Sequence, residues 1–137
     1  MKTSDEGLKS LEGREGKRRK AYLDTKGIPT IGVGHTGPEV YIGLAWTDQQ
    51  IEDALRDDVK EAEDCINKCV TVLLTQSQFD ALVSFVFNIG ITAFKRSTLL
   101  RVLNTGDYED AAACFDMWHI PKEIIGRRDS EKLQFQK

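Results

Sequence analysis

Glu15, Asp24 and Thr30 are the residues of this 137-residue chain whose types and spacing best suit chemistry. Eight residues separate the glutamate from the aspartate and five separate the aspartate from the threonine, and the stretch closes on Thr30-Ile31-Gly32-Val33-Gly34-His35-Thr36. Two carboxylates and a hydroxyl in one short glycine-rich segment are the equipment for acid-assisted attack of water on a glycosidic bond. A glycosidic oxygen leaves poorly, so one carboxyl must donate a proton to it while other groups steer the nucleophile. Glu15 suits the first task at a helix end facing a cleft, where desolvation and the negative end of the helix both disfavour the charged carboxylate. Asp24, in a more open turn, is expected to stay ionised and orient a water or support positive charge on the sugar, with the Thr30 hydroxyl helping to hold that water. On spacing alone, the same three residues also suit an ordinary charged surface.

The elements that must position them follow from periodicity. Ser4 can cap a first helix carrying Leu8 and Leu11, with Glu15 at its end and Gly16 as the stop. From Lys20 to Thr36, Tyr22, Ile28, Thr30, Ile31 and Val33 alternate with Gly27, Pro29, Gly32 and Gly34, the pattern of short strands joined by tight turns. Thr47-Asp48-Gln49-Gln50 is a capping box, and the apolar residues from Ile51 to Val70 predict one amphipathic helix over about 48–69. A second box, Thr75-Gln76-Ser77-Gln78, opens a helix over Phe79 to Asn88 so apolar that it belongs at the centre of a lobe. Gly90 stops it, and shorter helices are expected over Ser97 to Leu103, Tyr108 to Met117 and Arg127 to Leu133. No internal repeat is present.

Composition is that of a water-soluble single domain, with 40% hydrophobic and 30% charged residues. No apolar run approaches the ~20 residues that span a bilayer, so no membrane insertion is expected. The N-terminus lacks the pattern of a secretory signal. A net charge of −3 gives no general attraction to nucleic acid. The clusters Lys17-Arg18-Arg19-Lys20 and Arg127-Arg128 suit a solvated face or an anionic polymer equally. Cys65, Cys69 and Cys114 are odd in number and far in sequence from both histidines, which argues against a metal centre; free thiols are expected, with a disulfide the alternative. No cofactor is implied.

The run Glu15-Gly16-Lys17-Arg18-Arg19-Lys20-Ala21-Tyr22-Leu23-Asp24-Thr25-Lys26-Gly27-Ile28-Pro29-Thr30-Ile31-Gly32-Val33-Gly34-His35-Thr36 resembles the active-site segment of phage-type lysozymes, the muramidases of bacteriophage endolysins. Gln78 to Gly90, then Phe94 and Ser97-Thr98-Leu99-Leu100, resemble the central buried helix of that family and its continuation, and Gly126-Arg127-Arg128 with Glu131 resembles its C-terminal signature. The resemblance implies an α+β lysozyme-like fold. It comprises a sheet-containing N-terminal lobe over about 12–46, a connecting helix over about 48–69, and a helical lobe over about 70–137 on which residues 1–11 pack. It further implies hydrolysis of the β-1,4 bond between N-acetylmuramic acid and N-acetylglucosamine in peptidoglycan, with inversion. Glu15 is then the general acid and Asp24 and Thr30 handle water. Glu12 is excluded because only Glu15 combines the family's Glu-Gly-x-Arg pattern, through Arg18, with the correct distance to Asp24. Gly34, His35, Asn88, Phe94 and Ser97 are the candidate substrate contacts, with a structural hydrogen-bonding role the stronger reading for His35 and helix capping an equal one for Asn88 and Ser97. Arg128 is expected either to pair with a carboxylate near Glu15 or to lie on the surface, and His119 to be structural or exposed.

A monomer made in a bacterial host's cytoplasm and acting on the periplasmic wall, with holin-dependent release or an immunity protein as partner, completes what the resemblance implies. Three features depart from the family: Arg14 before the acid, a short segment between Trp118 and Gly126, and the acidic balance. A lytic transglycosylase on a similar fold and a non-catalytic wall-binding module are the alternatives; Asp24 and Thr30, which suit water handling, disfavour the first, and retention of all three polar positions disfavours the second.

Overall fold

The computed structural model describes residues 1–118 and 125–137, so His119 and most of the segment before Gly126 lie outside the described residues. The elements are α1 (Asp5–Glu15), β1 (Arg18–Leu23), β2 (Pro29–Gly32), α2 (Asp48–Asp58), α3 (Lys60–Cys69), α4 (Gln76–Ile89), α5 (Ile91–Lys95), α6 (Thr98–Asn104), α7 (Tyr108–Cys114), a 3-10 turn (Phe115–Trp118) and α8 (Ile125–Phe135). Helix dominates, and the sheet is the two-stranded antiparallel pair β1-β2. The chain forms two compact units, Leu8–Lys60 and Met1–Gly7 with Glu61–Lys137.

In the first of these units α1 ends as its sequence dictates. Gly16 takes φ +83°, open to glycine without steric cost, and its N–H donates to the Glu12 carbonyl at 2.8 Å. Only Lys17 then separates the helix cap from β1. The strands pair Tyr22 with Thr30 and Leu23 with Pro29, while the register shifts between Arg18 and Tyr22. The residues in that irregularity bond elsewhere: Ala21 N–H donates to Leu44 O at 3.0 Å and Trp46 N–H to Arg19 O at 2.8 Å. Thr47 caps α2 through the reciprocal box with Gln50.

The stretch read as one helix over 48–69 is two, α2 and α3, with Val59 between them. Val59 keeps a near-helical backbone, and its N–H is shared between the Leu55 and Asp57 carbonyls. A tightened last turn of this kind is how helices commonly terminate. The apolar periodicity continues across the junction because Leu55, Val59, Ala62 and Ile66 are all buried, so the pattern alone could not reveal it.

In the second unit α4 is the central helix. Every residue from Phe79 to Val86 is buried, including Asp80 and Ser84. Phe85 packs edge-on against Phe94, Phe115 and Trp118, with Phe115 and Phe135 in contact beyond. The N-terminus is tied to this unit by polar bonds. Thr3 donates from both its backbone N–H and its hydroxyl to Glu63 at 2.7 Å, and the Ser4 N–H and hydroxyl both donate to Asp80. Ser4 Oγ also accepts the Gly7 N–H at 3.0 Å, the expected cap. Gly7 is required by close approach, since a Cβ there would sit 2.5 Å from the Asp80 carboxyl carbon.

All three cysteines are free thiols. Burial first, then the adjacent Cys69 thiol, pushes Cys65 up to about 11; burial also raises Cys114.

Candidate active site

Glu15, Asp24 and Thr30 all belong to the unit Leu8–Lys60. Glu15 is the last residue of α1, half-buried, where the chain turns from the helix toward β1. Asp24 follows β1 and Thr30 lies in β2, so the two flank the hairpin turn.

The hairpin turn is organised around the backbone of one residue, Ile28. Its N–H donates to Asp24 Oδ1 at 2.8 Å, and its carbonyl accepts both the Asp24 N–H at 3.0 Å and the Thr30 hydroxyl at 2.9 Å. The Asp24 carboxylate and the Thr30 hydroxyl are therefore fixed by the same residue, one at its N–H and the other at its carbonyl. Lys26 N–H adds a second bond to Asp24 Oδ1 at 2.8 Å, and Gly27, at φ +78°, closes the turn by donating to Asp24 O at 2.9 Å. This is an Asx-type turn, in which a short carboxylate satisfies backbone donors. Both bonds fall on Oδ1, leaving the acceptor capacity of Oδ2 outside the turn. Thr30 is buried and commits its proton to Ile28, so its oxygen retains lone pairs but no donor.

Glu12 is occupied differently. Its carboxylate pairs with Lys17 Nζ at 3.1 Å, and the hydrogen bond and charge of Glu12 hold the lysine above its ordinary pKa. The basic run is likewise partly neutralised within the unit. Arg19 makes two bonds to Asp48, at 2.9 and 3.1 Å, which depress the aspartate, and the Arg18 guanidinium lies 4.3 Å from the centre of the Tyr22 ring.

Behind Thr30 the chain folds on itself. Ile31 and His35 exchange both backbone bonds at 2.9 Å around Gly32 and Gly34, which take φ of +67° and +68°. A Cβ on Gly32 would also stand 3.2 Å from the Trp46 ring. Gly34 is exposed. His35 is gripped at both ring nitrogens, Nδ1 by Asp58 at 2.7 Å and Nε2 by Glu39 at 2.6 Å, and its ring lies against Trp46. Burial opposes its protonation, but the hydrogen bonds and charges of Glu39 and Asp58 outweigh burial and raise its pKa. The bond to His35 lowers that of Glu39 in return. His35 is thus a clamp for its loop.

Three other sequence candidates lie in the second unit. Phe94 is fully buried against Phe85, so it is a core residue that sugar cannot reach. Ser97 is the buried N-cap of α6: its hydroxyl donates to Phe94 O at 2.7 Å and accepts the Leu100 N–H at 3.1 Å. Asn88, exposed near the end of α4, accepts a bond from Arg128 through Oδ1.

Arg128 itself is not a surface residue. It is completely buried, bonds to Asn88 and Glu131, and stacks 5.1 Å from the Phe85 ring centre. Glu131, equally buried, accepts from Arg128 at one oxygen and from Ser84 and Arg127 at the other. Sequence reasoning found the arginines but not this use of Ser84, nor the grip of Glu39 and Asp58 on His35. The i,i+3 and i,i+4 spacing of Glu131 from Arg128 and Arg127 was the available signal.

Among the described residues no helix is long and apolar enough to cross a membrane. The profile of the Phage lysozyme family matches residues 12–131, and the chain belongs to that family. It is 43% identical over 143 residues to the endolysin of Salmonella phage P22, the alignment covering 98% of each protein. A crystal structure of a P22 lysozyme mutant superposes with a TM-score of 0.95 at 41% identity, covering 100% of this chain and 99% of that one. The muramidase domain of SpmX from Asticaccaulis excentricus gives 0.92 at 37% identity, covering 99% and 98%. The α+β lysozyme-like fold expected from the sequence is therefore the fold of this chain.

Proposed function

We propose that the protein is a muramidase that hydrolyses the β-1,4 bond between N-acetylmuramic acid and N-acetylglucosamine, acting on the cell wall. Membership of a family of endolysins and muramidases supports peptidoglycan hydrolysis. The observation that carries the finer reading is that Ile28 holds Asp24 through its N–H and Thr30 through its carbonyl.

A water placed between Asp24 Oδ2 and Thr30 Oγ1 meets two acceptors. Both of its hydrogens are then directed toward protein, and a lone pair is left for the sugar carbon. Glu15 donates its proton to the departing glycosidic oxygen while the water loses one to Asp24, and exchange with solvent resets both groups. Attack from the face opposite the leaving group inverts the anomeric centre.

Digestion of peptidoglycan in ¹⁸O-labelled water tests this reading. The expected product carries one ¹⁸O at a muramic acid reducing end, and Glu15→Gln leaves permeabilised cells turbid. Unlabelled anhydromuramic ends would instead identify a transglycosylase, and binding without new reducing ends a wall-binding module.

A further inference from the structure

We propose that Cys65 and Cys69 form a two-thiolate binding site for a soft monovalent cation of the copper(I) type. The pair stands one turn apart at the end of α3, within the unit that contains Glu61–Lys137. Both cysteines belong to the C-terminal half of the helix and line one hollow. The hollow, of about 300 Å³, is lined by both cysteines together with Lys68, Ile91 and Lys95, and with Glu61 and Asp64. Cys65 is almost wholly buried and Cys69 half-buried, so the hollow is the approach to the pair.

Spacing distinguishes an ion from a disulfide. Residues four apart on a helix hold their Cβ atoms about 5–6 Å apart, whereas a disulfide needs roughly 3.5–4.5 Å. The last turn of α3 is also restrained, because Asn104 donates to the Cys69 carbonyl at 2.9 Å and accepts the Thr71 N–H at 2.9 Å. Two thiolate bonds of about 2.3 Å, the length found at zinc, bridge the wider gap without moving the helix.

Coordination number selects the ion. Zinc wants four ligands, and no group of three or more His, Cys, Asp or Glu converges on a metal position among the described residues. Soft thiolates favour copper(I), and the closed-shell monovalent ions accept two ligands. Binding displaces one proton from each thiol to solvent and moves no electron. The resulting complex is anionic, and Lys68 and Lys95 line the same hollow.

The test is an anaerobic titration of the reduced, full chain with copper(I) against a chromogenic chelator, read together with thiol counting and circular dichroism. One ion per chain is expected, protecting two thiols from a disulfide reagent. Cys114→Ser should bind as the parent does. Cys69→Ser and Cys65→Ala should each weaken binding by more than about 100-fold, since even outer-shell partners are worth 10–100-fold. Cys69, being half-exposed, keeps the test valid if Cys65→Ala disturbs folding. Unchanged affinity in Cys69→Ser, no binding by the parent chain, or ready formation of a Cys65–Cys69 disulfide in the folded protein would each overturn the site.

Discussion

The turn at Asp24 and the buried cluster at Glu131 both fix a carboxylate with several hydrogen bonds, but they use its oxygens differently. At Glu131 both oxygens are consumed, one by Arg128 and the other by Ser84 and Arg127, in a place with no access to solvent. At Asp24 the two backbone donors share Oδ1, and the remaining oxygen belongs to a half-buried residue beside a hydroxyl that can only accept. Counting acceptor capacity separates a carboxylate that closes a structure from one that can hold a reactant. The first fails when its charge is removed; the second fails when its spare oxygen loses that charge.

The largest expected effect lies on the reactive side of the comparison. Glu15→Gln should lower turnover by at least about 100-fold, the lower end of what a positioned acid contributes, with thermal unfolding unchanged. Glu12→Gln, which removes one of the two carboxylates paired with Lys17, should retain near-parental activity in the same turbidity assay.

Glu131→Gln should show the opposite signature. Leaving Arg128 buried without its counter-charge costs about 3–5 kcal/mol in denaturant unfolding, while the turnover of the fraction still folded persists. A variant with parental stability would show that the cluster is not a structural unit. A smaller loss, about 1–3 kcal/mol, is expected for Gly7→Ala, because its new methyl group must displace the Asp80 carboxylate.

The His35 clamp gives the smallest effect, and it has a direction. His35 is raised, so its contribution is full below the unfolded value near ~6.5 and disappears as pH rises through the folded value. Glu39 is lowered, so its share is present above its unfolded value and is lost as pH falls through the folded one. Melting temperatures between these limits should exceed those on the alkaline side, and Glu39→Gln should flatten that slope. A slope unchanged in Glu39→Gln would remove Glu39 from the clamp.

Much of this arrangement was legible in the sequence because it rests on local rules. Thr47 and Thr75 announce their capping boxes, Gly16 ends α1, and the alternation from Tyr22 to Val33 marks the hairpin that carries Asp24 and Thr30. What was hidden depends on through-space neighbours. The junction at Val59 divides the helix but not the apolar periodicity, and nothing near Phe94 or Ser97 in sequence announces the core ring or the buried cap. Arg128 reads as a surface charge until Glu131, Asn88 and the Phe85 ring are placed around it.

The central claim is that a water held by Asp24 and Thr30 attacks the sugar directly, and the configuration of the first product tests it most directly. Proton NMR of a soluble peptidoglycan oligosaccharide during the earliest turnover should show the α-anomer at the new reducing end before mutarotation, with Asp24→Asn suppressing its appearance while unfolding as the parent does. A β-anomer appearing first would mean double displacement through a covalent intermediate, and would contradict the account.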